Sequence, residues 1–111
     1  MPERNIAILI DAENIDPAFA EQIFSNANSI GAPIVREIFG AGIALNEWVE
    51  PIMEYDIIPH ITLKPNRYKN SSDISLVLGA ADVLINNIKH PETACDTVII
   101  VSSDCDFSPV A

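Results

Sequence analysis

The chain has 111 residues, 49% of them hydrophobic, with 16 acidic and 6 basic side chains and a formal net charge of −10. That length builds one domain around one core, no stretch approaches the roughly 18–20 uninterrupted apolar residues of a membrane span, and the acidic balance weighs against ordinary nucleic-acid binding through basic patches. Met1-Pro2-Glu3-Arg4-Asn5 runs straight into an apolar segment without the pattern of a signal peptide, and Cys95 and Cys105 lack metal-ligand spacing, so the sequence reads as a cytoplasmic protein with reduced thiols.

Strand and helix patterns alternate along the chain. Residues 5–10 are the first predicted strand. Asp16-Pro17 reads as an N-cap followed by proline at the first helical position, with Gly31 as the stop. Between them Phe19, Ala20, Ile23, Phe24, Ala27 and Ile30 recur at helical spacing. Residues 34–39 are a second strand and Gly40-Ala41-Gly42 a flexible connection. Asn46 is expected to cap a helix through Tyr55, with Trp48, Val49, Ile52 and Met53 inward and Pro51 kinking or shortening it. Residues 57–63 are a third strand, placed at an edge by Pro59. A polar, basic loop, 64–70, follows.

The strongest helix spans 72–87, where Ile74, Val77, Leu78, Ala81, Leu84, Ile85 and Ile88 form one apolar stripe. A loop with Pro91 leads to a fourth strand, 97–102. This alternation implies an α/β fold of right-handed βαβ units with a parallel sheet. The sequence ends soon after Asp106, where another helix is expected, so the fold reads as C-terminally incomplete. The outer edge of the fourth strand then needs cover, for which a homodimer is one expectation.

The acidic residues fall at informative places. Asp11 follows Ile6-Ala7-Ile8-Leu9-Ile10, Asp104 and Asp106 follow Val98-Ile99-Ile100-Val101, and Asp73 opens the long helix after Asn70-Ser71-Ser72. Three pieces of chain thus aim carboxylates at one sheet edge. Unpaired carboxylates repel, so the cluster makes chemical sense around a hard cation, Mg²⁺ or Mn²⁺. Each residue also has a plainer reading. Asp11 and Asn14 suit a turn, Ser103 or Asp104 suits an N-cap, and Asp73 suits the positive end of the helix dipole.

Asp82 lies about half a turn out of phase with Asp73 and reads as solvated or capping. Glu13 is grouped with the acidic cluster. Lys64, Arg67 and Lys69 surround Tyr68, a pattern that can track a phosphate backbone or be an ordinary solvated loop. His60 reads as structural and Trp48 as core. No phosphate-cradling glycine loop, Ser/His/Asp set or zinc cluster is present. Glu at position 13 departs from the Asp-x-Asp of haloacid-dehalogenase-type phosphatases, and Lys64 stands where a response-regulator receiver needs Asp. A Toprim-like use of Asp104-Cys105-Asp106 remains open.

Three segments together, Ile10-Asp11-Ala12-Glu13-Asn14, Lys69-Asn70-Ser71-Ser72-Asp73-Ile74-Ser75-Leu76 and Val101-Ser102-Ser103-Asp104-Cys105-Asp106-Phe107, resemble the motifs of the NYN domain in its LabA-like branch, related to PIN-domain nucleases. The likeness runs over essentially the whole chain in order. It implies a three-layer α/β/α PIN-like fold, with a parallel sheet of at least four strands, and metal-dependent ribonuclease chemistry. Carried over, Asp11, Asp73, Asp104 and Asp106 match the acidic, metal-binding and catalytic site, with Asn14 as polar companion. Ser103, Lys64, Arg67 and Lys69 are the expected substrate-binding residues.

Similar sequences often carry a further acidic residue where this chain has Gly79, and their pattern continues with a helix and a strand. The leading expectation is a Mg²⁺- or Mn²⁺-dependent endoribonuclease acting on single-stranded or structured RNA. The alternative is a non-catalytic regulatory or protein-interaction module that keeps the fold.

Overall fold

An apolar run such as 6–10 satisfies its backbone inside a sheet and its side chains between two covering layers. The computed structural model describes residues 4–62 and 71–102, for 71–78 and Thr93 the backbone alone. In it β1 (Asn5–Asp11) is flanked on both sides, by β2 (Ala32–Gly40) and by β4 (Thr97–Val101). β3 (Ile58–Ile61) pairs with β2, so the order is β3-β2-β1-β4 and every pairing is parallel. Ile6 through Ile10 are fully buried, as a central strand requires. Pro59, opposite Ile38, sits on the edge strand, where its missing N–H costs no ladder bond.

The pleat of β1 sorts its side chains into two layers. Ile6, Ile8 and Ile10 join Ile38 beneath α1 (Ala20–Ile30), which contributes Ala20, Phe24 and Ala27. A 3-10 turn, Pro17–Phe19, precedes α1, and Asp16 caps it by accepting the Ala18 N–H at 2.9 Å. The helix stops at Gly31, whose N–H donates to the Ala27 carbonyl at 3.0 Å. Its backbone is extended; glycine is needed there because a Cβ would lie 2.3 Å from the Arg4 carbonyl oxygen.

Two expectations on this face change. Gly40-Ala41-Gly42 is no flexible connection: Gly40 ends β2, and α2 (Gly42–Glu47) starts at once, with Leu45 N–H donating to the Ala41 carbonyl at 3.0 Å. The single helix expected through Tyr55 is instead broken at Trp48, after which α3 (Val49–Tyr55) begins. The break places Pro51 in a first turn, where backbone N–H groups have no intrahelical partner and proline is tolerated. It also changes the helical phase. Trp48 is fully buried, its indole N–H donating to the Ile15 carbonyl at 3.1 Å, but Val49 and Met53 face outward.

The opposite face is covered by α4 (Ser71–Lys89), over Leu9, Phe39, Val98 and Ile100. Among its described side chains the sheet-facing ones are Ala80 and Val83, with Gly79 against the Phe39 ring. The described part of the apolar stripe points away instead: Ala81, Leu84, Ile85 and Ile88 are exposed, Ile88 at 82%, while the side chains of Ile74, Val77 and Leu78 lie outside the described ones. The physical reason is bulk. Leu9 and Phe39 already fill the interlayer space, so small residues take the close approach. Three layers result, α/β/α, with the parallel sheet in the middle. At the far end, Asn87 donates to the Cys95 carbonyl (3.0 Å) and accepts from its N–H (2.8 Å), fixing the entry to β4. Burial, with Asp96 adding, pushes the free Cys95 thiol above its ordinary pKa. Among the described residues no helix is long and apolar enough to cross a membrane.

Candidate active site

The chain runs from β1 outward to β2 and β3, then returns through α4 to β4 on the other side of β1. The strand order therefore reverses between β1 and β4, and the C-terminal edge at such a switch point is where open parallel sheets bind ligands. Asp11, the last residue of β1, lies at that edge and is fully buried. By strand alternation it shares the face of Leu9, the face that α4 covers.

The turn after β1 is built around this carboxylate. Its Oδ1 accepts the Glu13 N–H at 3.1 Å and its Oδ2 accepts the Asn14 Nδ2–H at 2.5 Å. Ser102, immediately beyond β4, reaches the same Oδ2 with its hydroxyl at 3.5 Å, because Val101 pairs with Ile10 and the next residue falls level with Asp11. These are three donors and no cation: Asp11 forms no ion pair among the described residues. The turn thus orients a buried negative charge without neutralising it. The expectation that Asp11 and Asn14 form a local turn is met.

Glu13 also reaches beyond the turn. Its Oε2 accepts the Ala41 N–H at 3.1 Å, tying the turn after β1 to the start of α2. That approach is close: a Cβ on Gly40 would lie 2.9 Å from the Ala12 Cβ.

Asp73 sits in the first turn of α4, which runs antiparallel to the strands it connects. Gly79 marks its level over Leu9 and Phe39. Six residues back along the axis is roughly 9 Å, and from Leu9 to Asp11 is roughly 7 Å in the same direction. The Asp73 backbone is therefore carried to the edge at which Asp11 ends. Gly79 is close-packed: a Cβ there would meet Phe39 Cζ at 2.9 Å, so the acid expected from the resemblance would require the ring to shift. Asp82 is exposed, in keeping with a solvated residue. His60 is structural: its Nε2 lies 2.7 Å from Glu37 Oε1 and its ring stacks on Phe39 at 4.7 Å.

Asp104, Asp106, Ser103, Lys64, Arg67, Lys69 and Cys105 lie outside the described residues. Among the described ones no three His, Cys, Asp or Glu side chains come together, and of the four aspartates only Asp11 has a described side chain. Sequence reasoning placed Ser102 in the third motif without giving it a site role of its own. Its signal was available, since the end of a strand adjacent to β1 must sit beside the end of β1.

Nothing among curated proteins or among solved structures matches the chain. The family model of the NYN domain, by contrast, matches residues 5–111, from the first residue of β1 to the last of the chain. The parallel three-layer α/β/α fold is consistent with a PIN-like one, and with a match over that span the chain belongs to the NYN domain family, a PIN-like nuclease family.

Proposed function

We propose that this chain is a metal-dependent endoribonuclease, acting in the cytoplasm on single-stranded or structured RNA, and that it falls in the LabA-like branch of its family. The observation that carries the reading is Asp11: a fully buried carboxylate at the β1–β4 switch point, held by hydrogen bonds but by no described cation. Burial of an unneutralised charge is costly, and a hard divalent ion at this edge offsets the cost. The donor chemistry fits such an ion. Carboxylate, carboxamide and hydroxyl oxygens of Asp11, Asn14 and Ser102 suit Mg²⁺ or Mn²⁺ rather than a thiophilic metal.

In this reading Asp11 and Asp104 hold the ion, with Asp73 and Asp106 completing the site directly or through water. The chemistry the ion supplies when bound is charge neutralisation at the scissile phosphate and a lower pKa for water. Asn14 fixes the orientation of the Asp11 carboxylate through its hydrogen bond. Ser103, Lys64, Arg67 and Lys69 serve the substrate, the three cations guiding its phosphates. No side-chain nucleophile is needed.

The test is cleavage of an end-labelled RNA with Mn²⁺, Mg²⁺ or EDTA, comparing wild type with Asp11→Asn and Asp104→Asn. Loss of an outer-sphere partner commonly costs about 10–100-fold, so loss of a ligand is expected to slow cutting by about 100-fold or more. Circular dichroism should show both variants folded. Equal cutting by wild type and variants, or none by wild type, would move the assignment to the non-catalytic interaction module.

A further inference from the structure

Beside the aspartate edge a groove of about 410 Å³ opens between the start of α1 and the end of β4. Asn14, Phe19, Gln22, Ile23, Asn26 and Val101 line it. The spacing 19, 22, 23 and 26 puts four of these on one helical face. Phe19 is 53% exposed. An exposed phenylalanine alone is unremarkable in a protein surface. This one is followed at i+3 and i+7 by two carboxamides, Gln22 and Asn26, whose side chains have no hydrogen-bond partner among the described residues.

Charge narrows the occupant. The chain carries −10 overall, yet the groove has a single charged lining residue, Asp16, whose Oδ1 already accepts the Ala18 N–H. A phosphate gains nothing there, whereas a flat neutral ring stacks on an aromatic face and offers its edge to carboxamides. The groove is also continuous with the site. Asn14 lines it while donating to Asp11, and Val101 directly precedes Ser102.

We propose that this groove is the base subsite of the RNA-cleaving edge, taking one unstacked nucleobase whose neighbouring phosphate lies at Asp11. Phe19 supplies the stacking face, and Gln22 and Asn26 supply donors and acceptors for the base edge. The inference rests on the RNA reading for the identity of the strand, and its test does not depend on cutting.

The experiment measures affinity in Mg²⁺ by fluorescence anisotropy, on the Asp104→Asn chain with and without Phe19→Ala. The probes are a short single-stranded RNA and the same RNA with its central bases removed. Removing the bases is expected to weaken binding to the parent by at least about fivefold, and Phe19→Ala to weaken binding of intact RNA by a similar factor. The double combination should show no further loss, which marks the two as one interaction. A second variant, Gln22→Ala with Asn26→Ala, should narrow any preference among homopolymeric RNAs. The proposal is overturned if Phe19→Ala discriminates the two RNAs as the parent does, or if the parent binds neither. The arms separate: a coupled loss without wild-type cleavage keeps the groove and removes the catalyst, and cleavage without coupling does the reverse.

Discussion

Asp11 and Gly79 show how differently two single residues bear on this site. Asp11 is polar after five consecutive apolar residues of β1, and its position at the strand end lets the following turn wrap it with N–H donors. Gly79 acts through absence of a side chain. Phe39, stacked on His60, stands where a Cβ would go, so the ring has little freedom to move away. Introducing Gly79→Asp puts both bulk and charge against that ring. Overpacking costs about 1–3 kcal/mol, and a poorly solvated carboxylate adds to it. We expect a loss of at least about 2 kcal/mol, or a melting temperature lower by roughly 8 °C or more for a domain of this size. Thermal unfolding followed by circular dichroism measures it. An unchanged melting temperature would show that α4 stands off from the sheet and that position 79 is open to an acidic ligand after all.

At the scale of elements, the informative case is the break between α2 and α3. A proline inside a continuous helix costs about 3 kcal/mol; in a first turn it costs almost nothing. Because Trp48 interrupts the helix, Pro51 falls in the first turn of α3. Pro51→Ala is therefore expected to change stability by less than about 1 kcal/mol, as read from urea unfolding. A gain near 3 kcal/mol would mean that the two helices are one strained helix in solution. The central strand was legible from sequence because its apolar run is buried on two faces, and Pro59 correctly marked the edge. The inward face of α4 was not legible. Periodicity identifies an apolar stripe, but here Gly79 and Ala80 take the place over Leu9 and Phe39, which leave space only for small side chains.

For the molecule as a whole, the charge of −10 sets how RNA can be held. Binding through many phosphate contacts makes affinity fall steeply with salt, with a slope of about −0.7 per neutralised phosphate for single strands. Three expected phosphate-guiding cations, Lys64, Arg67 and Lys69, bound that slope at about −2 on a log–log plot. Replacing all three with glutamine should flatten it. A markedly steeper slope would require a basic surface that this composition does not supply. The proposed base subsite at Phe19 and divalent ion at Asp11 would add contacts with RNA that need no basic surface.

The sequence by itself determined the alternation of strands and helices, the parallel sheet, the position of Asp11 at a strand end and the family. The first three follow from apolar runs and turn residues that act locally, and the family from the resemblance of three motifs. Which side chains meet was decided only by the tertiary structure. The reversal of strand order brings Ser102 to Asp11, the fold over β2 turns Glu13 into a tether for Ala41, and the packing on Phe39 makes Gly79 a spacer. Such pairings depend on the relative size of residues far apart in the chain, competing for the same space, and no window of sequence contains both partners.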